Sequence, residues 1–496
     1  MEKRLFLAIG LSLLIIISWS RIVSKFYPIE KQEVITITPS PVVSPLKESR
    51  KEIPSETLAF ENADFVFLPP FAAIKEVRFK HYQNYGFALS QGFLCKDLGG
   101  EFKMEKRPQG AYFIYEDEEK RITKEFIFHP PNYNIELKIK IQNLKSQPLN
   151  LNPQLMLAKL EINHSQIYSR LQETLFAYPD KVVRFAPRRQ YSSGEEIKFL
   201  AYRDRYFCAI IEPGQGGFKG FMNKLNAQQT EIGLTTQLQI ESAGARDLNF
   251  HIYLGPQELR TLSAINKGWE GIVYFGTFDA ISKFLLRFLA FLQGIVHNWG
   301  LALVLLSLGI YFMLYPLTLK QLRSMKKMQE LQPKIEGLRQ LYKNNPQKLN
   351  KEVLELYRQE KVNPFGGCLP LILQIPIFFA LYQALMRSLA LKGEAFLWIK
   401  DLSEPDQLFI LSRPLPFLGN EINLLPLLMM GIMFFQQKFS QTPSVGQAAE
   451  QQRLMGIIFP LLFGAIFYHM PAGLVLYWLI NSALMTAFQL KTKVKH

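Results

Sequence analysis

The chain has 496 residues, 48% of them hydrophobic and 13% aromatic, and its mean hydropathy of +0.02 is too high for an ordinary soluble protein yet too low for membrane spans alone. A formal net charge of +15 would suit nucleic acid, but much of it sits beside apolar runs, which points to membrane topology and an anionic membrane surface instead of DNA. Length by itself suggests about three units, a soft guide.

At the N-terminus Lys3 and Arg4 precede an apolar run over residues 5–17. That is the layout of a signal peptide, yet Ser18, Trp19, Ser20 and Arg21 follow where a small-residue cleavage site would stand. The reading is an uncleaved transmembrane signal anchor over 1–20 with its N-terminus inside. Residues 21–56, with Pro39, Pro41, Pro45 and Pro54, read as a flexible tether.

From about Thr57 to Gly255, within a domain read as 57–270, the pattern turns to period two. Ile135, Leu137, Ile139 and Ile141 alternate with Glu136, Lys138 and Lys140, and Leu248, Phe250, Ile252 and Leu254 repeat the alternation. With turns expected at Pro130-Pro131, Ser193-Gly194 and residues 214–217, this predicts an all-β sandwich. About 200 residues suffice for a core of its own. His81, His129, His164 and His251 share no metal-ligand spacing, and the stretch holds no nucleophile motif or phosphate loop, so no metal or cofactor is expected. Of Cys95, Cys208 and Cys368, only the first two can pair in an oxidising compartment.

Residues 271–297 carry an amphipathic helix with Ile281, Phe284, Leu285, Phe288 and Leu292 on one face and Asp279, Lys283 and Arg287 elsewhere. Two placements fit: flat in the outer membrane interface, or packed on the β-domain as its last helix.

Residues 299–317 contain no charged side chain and are about the twenty residues that cross a hydrocarbon core. Residues 319–363 are basic, with Lys320, Arg323, Lys326, Lys327, Lys334, Arg339 and Lys343 among them, and their apolar spacing predicts a helical hairpin tipped by Asn344, Asn345 and Pro346. Basic residues beside a span mark the cytoplasmic side. Pro364, Gly366 and Gly367 break the helix before a second span at 369–386, whose terminal Arg387 should snorkel to the outer interface. An acidic external connection then leads to a short span at 424–437 and a polar return over 438–453. The apolar run 454–490 is too long for one span and breaks between His469 and Gly473, giving spans at 454–469 and 473–490. The expected fold is therefore a polytopic α-helical membrane protein with six transmembrane helices. The hairpin and a basic tail at 491–496 fall on one side and the β-sandwich on the other.

Polar residues inside these spans are few. Ser307, Tyr311 and Tyr315 recur every four positions and so share a face. Tyr477 and Asn481 do the same in the last span, with Trp478 and Ser482 beside them, and Gln374 adds an amide. Two readings fit: a weakly polar groove able to hydrogen-bond a transient guest, or interhelical contacts whose polar groups satisfy one another. Hydrolysis is disfavoured, because there is no intramembrane Asp pair, no Ser with a Lys or His at catalytic depth and no HExxH. A transporter would bring repeated halves or pathway charges, and an envelope enzyme would act on a sugar through the β-domain.

Seven short motifs follow one another in the chain: Asn298-Trp-Gly300, Tyr315-Pro-Leu-Thr318, Gln332-Pro-Lys334, Lys361-Val-Asn-Pro-Phe-Gly-Gly-Cys-Leu-Pro370, Gln374-Ile-Pro-Ile-Phe378, Ala380-Leu-Tyr382 and Gly473-Leu-Val-Leu-Tyr477. In this order they resemble the YidC family of membrane protein insertases. The resemblance implies a bacterial inner-membrane protein, not an enzyme, with a five-helix insertase core, a periplasmic β-sandwich and a cytoplasmic hairpin. Its implied partners are nascent membrane proteins, the ribosome, the Sec translocon and the lipid bilayer. Ser307, Tyr311, Tyr315, Gln374, Tyr477, Trp478, Asn481 and Ser482 become expected guest contacts, and the seven hairpin cations above a recruitment surface. One departure stands out: where the family usually carries a groove arginine, this chain has Tyr311.

Overall fold

The computed structural model describes residues 54–130, 132–161, 171–343, 345–360, 369–415, 419–440 and 447–494. The expected N-terminal anchor, nearly all of the tether, His164, the helix break at Pro364, Gly366 and Gly367, Cys368 and the last two tail residues lie outside them.

The period-two segments form strands. A nine-stranded antiparallel sheet runs, in spatial order, Val182–Phe185, Glu173–Ala177, Phe199–Arg203, Phe207–Pro213, Ala245–Pro256, Asn134–Asn143, Lys120–His129, Gly110–Glu116 and Lys103–Arg107. In Asn134–Asn143 the residues Ile135, Leu137, Ile139 and Ile141 are buried while Lys138 and Lys140 are exposed, so the alternation selects the face. That face meets a four-stranded sheet built from Glu56–Ala59, Ala63–Leu68, Ala73–Phe79 and Tyr85–Gly92, and a five-stranded sheet around Gln154–Glu161. Aromatic rings join the layers: Phe65 and Phe128 lie 4.5 Å apart between centroids, and Phe79 stacks on Phe207 at 4.0 Å.

Two expectations for this domain are corrected. Ser193-Gly194 does not turn the chain; it lies within strand Tyr191–Glu196, where Gly194 takes φ 66° and the pairing with Lys219–Lys224 shifts register. Two extra residues on one strand, with Gly194 at positive φ among them, make an irregular bulge, which sequence alone cannot distinguish from a turn. Cys95 and Cys208 do not pair; among the described residues both thiols are free. Cys95 belongs to the core between the sheets, whereas Cys208 faces a second cluster on the other side of the nine-stranded sheet. That second cluster exists because helix α1 (Leu259–Ile265) and the turn carrying Trp269 cover the strands Phe199–Arg203 and Phe207–Pro213, which are thereby buried on both faces. The domain is thus β-rich, closed by a short helical cap.

The helical part follows: α2 (Asp279–Val296), α3 (Trp299–Glu330), α4 (Gln332–Leu341), α5 (Pro346–Gln359), α6 (Leu369–Met386), α7 (Leu424–Ser440), α8 (Gln447–Phe467) and α9 (Ala472–Val494). By length and composition Trp299–Lys320 and Ala472–Lys491 are fit to cross a membrane, and Gln374–Met386, Leu424–Gln437 and Gly456–Phe467 are shorter apolar helical stretches. The structure differs from expectation in extent: α3 runs unbroken past the end of its apolar stretch into the basic segment, and α8 begins at Gln447, within the expected polar return. The acidic external connection contains a β-hairpin, Phe409–Leu415 with Gly419–Ile422, that carries little alternation to announce it.

Helix α2 packs on the helical core. It buries Ser282, Leu285 and Leu289, and the Ser282 hydroxyl donates to the Ala380 carbonyl at 2.8 Å. Of the residues read onto one apolar face, Leu285 is buried and Phe288 and Leu292 pack against that core, while Ile281 and Phe284 are exposed together with Phe291 and Ile295. The helix is apolar on two sides, and a single-face reading merges them.

Arg387 does not snorkel to an interface. It is buried against the β-domain, donating to the Leu171 carbonyl and to Glu173, both at 3.2 Å. A folded acceptor shell replaces the lipid headgroups, and burial lowers its pKa to about 10.

Candidate functional site

The helical core is packed toward one end. Ala302, Leu303, Leu306 and Ile310 of α3, Ala380, Leu381 and Leu385 of α6, Leu425 and Met429 of α7 and residues 472–477 of α9 form one buried cluster. All lie in the halves of their helices nearer the β-domain. Small residues make the close approach possible there: a Cβ on Gly300 would clash with the Phe396 ring, and one on Gly473 would meet Leu303 and the Leu402 carbonyl at 3.1 Å.

Beyond that seal, toward the hairpin, lies a cavity of about 270 Å³ lined by Tyr311, Leu314, Leu317, Thr318, Gln374, Met433, Gln436, Trp478, Asn481, Ser482 and Met485. Its polar groups are uncharged. The Gln374 amide donates to the Tyr477 hydroxyl across the junction of α6 and α9. Asn481 Nδ2 donates to the Tyr477 carbonyl at 2.9 Å, and Thr318 Oγ1 to the Leu314 carbonyl at 3.1 Å, so each answers a backbone acceptor one turn back. The Tyr311 hydroxyl is buried without a hydrogen-bond partner among the described residues. An unpaired hydroxyl in an apolar setting costs about 1–3 kcal/mol, which a polar visitor would recover.

Of the eight expected guest contacts, the structure brings Tyr311, Gln374, Trp478, Asn481 and Ser482 to the cavity wall. Ser307 lies in the sealed half, fully buried, and donates to the Leu303 carbonyl at 2.7 Å. Tyr477 stands behind the wall as the partner of Gln374, and Tyr315 turns to Phe488 at 5.1 Å between ring centroids. Trp478 has Phe378, Phe463 and Phe467 around it, which fixes its indole at the cavity edge. Sequence reasoning missed Thr318, Gln436 and the methionines Met433 and Met485. Thr318 is seven residues after Tyr311 and continues the same stripe, so it was findable; Gln436 is one amide near a span end and carries no such signal.

The hairpin cations are placed on two helices and a tip. Lys320, Arg323, Lys326 and Lys327 lie on the extension of α3, Lys334 and Arg339 on α4 and Lys343 at the tip, and all seven are exposed. Leu331 and Ile335 pack with Val353, Leu356 and Tyr357 to hold α4 against α5, Asn345 caps α5 through the Lys348 amide at 3.0 Å, and Lys334 pairs with Glu360 at 2.6 Å. No cluster of metal-ligating side chains occurs among the described residues. His81 instead bonds Asn62 at 2.9 Å and His129 pairs with Glu136 at 3.3 Å.

Comparison with known proteins turns this geometry into an assignment. Residues 291–496 match the family model described as 60Kd inner membrane protein, and residues 105–288 match that of the YidC periplasmic domain. The membrane protein insertase YidC of Syntrophobacter fumaroxidans is 35% identical over 422 residues, 82% of this chain and 75% of that one. The chain belongs to the YidC family of membrane protein insertases. A second relative, the YidC insertase of Paraburkholderia phymatum, is 32% identical over 386 residues, 74% of this chain and 66% of that one. A crystal structure of an active YidC insertase overlays with a TM-score of 0.41 at 19% identity, over 88% of this chain and 92% of that one. As a YidC insertase the protein is an inner membrane protein with a periplasmic domain, and its work is membrane protein insertion without enzymatic chemistry. The β-domain is that periplasmic domain and α3 to α9 belong to the membrane core.

Proposed function

We propose that this insertase receives the polar end of a nascent membrane segment in the cavity between α3, α6, α7 and α9, and releases its apolar part sideways into lipid. The observation that carries the reading is the Tyr311 hydroxyl, without a partner among the described residues and grouped with Gln374, Asn481 and Ser482 around a cavity on the hairpin side of a sealed core. An unsatisfied backbone group in hydrocarbon costs several kcal/mol, so a hydrogen-bonding wall shortens the costly part of a polar crossing. Burial of the guest's own apolar side chains in lipid then drives the step. No nucleotide and no covalent intermediate is involved.

In this reading the chain crosses the membrane six times, counting the N-terminal anchor, with five helices in the core that holds the cavity and both ends in the cytoplasm. The exposed cations from Lys320 to Lys343 meet the ribosome-borne chain and the anionic bilayer surface, and the insertase acts alone or beside the Sec translocon. Because the cavity is lined by neutral groups, guest selection rests on hydrogen bonding and shape, and insertion is expected to respond weakly to the charge of the guest's polar segment.

The test is site-specific photocrosslinking of a stalled two-span guest to probes at Tyr311 and Trp478, with lipid-facing Phe379 as the control. Strong crosslinks at the first two support the route. Equal yields at all three positions, or normal insertion by a chain carrying Tyr311→Leu and Asn481→Leu, would place the guest path elsewhere.

A further inference from the structure

The contact between the periplasmic domain and the membrane core centres on one buried arginine. Asp204, Arg205 and Tyr206 form the tight turn between strands Phe199–Arg203 and Phe207–Pro213, and Asp204 Oδ1 accepts from the Tyr206 and Phe207 amides at 2.7 Å each, which fixes the turn's shape. From it Arg205 reaches out of its own domain. Its Nε donates to the Met386 carbonyl at 2.8 Å, one terminal nitrogen to the Ser403 carbonyl at 2.5 Å, and the other to Glu404 at 2.5 Å.

Each acceptor lies at a helix end or in a segment that caps one. Met386 is the last residue of α6, whose final carbonyls have no partner within the helix. Ser403 and Glu404 lie in the loop that supplies carbonyls to the start of α9: Ala472 N donates to Glu404 O at 2.7 Å and Gly473 N to Leu402 O at 2.9 Å. One guanidinium therefore ties the outer end of α6 to the loop segment that caps α9. These two helices carry Gln374, Tyr477, Trp478 and Asn481, the pair and the wall of the cavity. Neighbouring groups pin the same loop: the Tyr206 hydroxyl donates to Ser403 Oγ at 3.1 Å, Lys392 lies 5.3 Å from the rings of Tyr85 and Tyr206, and Leu389 is buried in the core of the periplasmic domain.

We infer that Arg205 is a positioning residue for insertion, through which the periplasmic domain clamps the outer ends of α6 and α9 and keeps the cavity closed on the periplasmic side. The role rests on the cavity being the guest route. The periplasmic domain then contributes to the membrane core the guanidinium that joins these two segments. Lysine is a poor substitute, since a single ammonium lacks the planar fork that reaches acceptors on separate segments at once.

Two measurements on the full chain in lipid nanodiscs or vesicles test it. Hydrogen exchange of the amides at 472–475 is read in Arg205→Lys and Glu404→Gln, with Arg107→Met, which breaks an exposed pair with Glu125, as the control. Roughly tenfold faster exchange is expected in the first two and none in the control. Insertion of a two-span guest should fall several-fold in parallel, more in Arg205→Lys than in Glu404→Gln, which keeps both carbonyl bonds. Native exchange in both variants overturns the clamp, and faster exchange with native insertion overturns its positioning role. The exchange readout needs no guest, so it stands even if the Tyr311 and Asn481 leucine variants show the guest path to lie elsewhere.

Discussion

The periplasmic domain and the membrane core bury polarity in opposite ways. The β-domain encloses whole charges: Lys124 donates to the carbonyls of Ala72, at 2.7 Å, and Phe93, and Arg203 pairs with Glu173 at 2.6 Å while bonding the carbonyls of Ile272 and Tyr274. Within the membrane helices the buried polar groups among the described residues are neutral, and Ser307, Thr318 and Thr486 each donate to a carbonyl four residues back in their own helix. Exposure is inverted as well. Large exposed apolar side chains in the β-domain are Leu144 and Leu225, whereas the helices present Phe284, Phe312, Met313 and many more. The contrast reflects the solvent in which each region folds: in water a charge stays hydrated until protein acceptors replace that water, while in hydrocarbon a polar group has only protein partners, most often its own backbone.

The largest effect expected from this contrast is in Lys124. Burial lowers its pKa from an ordinary 10.5 to about 8. Between those values the unfolded chain holds the proton and the folded domain does not, so stability should rise as pH increases through that window, by up to about 3 kcal/mol. Exchange of the β-domain strand amides between pH 8 and 10.5, corrected for intrinsic rates, would show that rise, and Lys124→Met should abolish it. A flat profile in the native chain would mean that the ammonium is not deprotonated on burial.

On the membrane side the seal depends on volume instead of charge. Gly300→Ala pushes a methyl group into the Phe396 ring, and a cost of about 2 kcal/mol is expected from overpacking. Thermal unfolding in detergent should show a lower midpoint, and an unchanged one would mean that the external loop yields. Gln374→Leu removes the partner of the Tyr477 hydroxyl and should cost about 1 kcal/mol, read by the same melt. The smallest effect belongs to the hairpin, where Lys334→Ala breaks an exposed pair with Glu360 and should change stability by less than about 0.5 kcal/mol. A large loss there would show the hairpin to be held by charge and not by Leu331 and Ile335.

Much of the architecture was legible because each solvent writes its own period. Alternation from Ile135 to Ile141 gave the strand and its buried face, and the uncharged run after Trp299 gave the first membrane helix. Five of the expected guest contacts reached the cavity wall: Trp478 and Ser482, four apart, arrived together, whereas Tyr311 and Asn481 arrived without Tyr315 and Tyr477, their mates at the same spacing. Ser307 shared the face of Tyr311 but not the cavity, because a stripe records direction around a helix and not depth at which neighbouring helices part. The same blindness to neighbours explains Arg387, whose acceptors at Leu171 and Glu173 are more than two hundred positions away in sequence.

What the sequence determined by itself was therefore local: the β-rich domain, the apolar helices, the basic hairpin and the uncharged character of the span interiors. Tertiary structure alone decided where the helix bundle seals and where it opens, which thiols stay apart, and that Arg205 of one domain completes the helix ends of the other. Period and composition are properties of a single segment. Packing depth and capping across domains depend on which distant groups arrive at the same point, and only the folded chain fixes that.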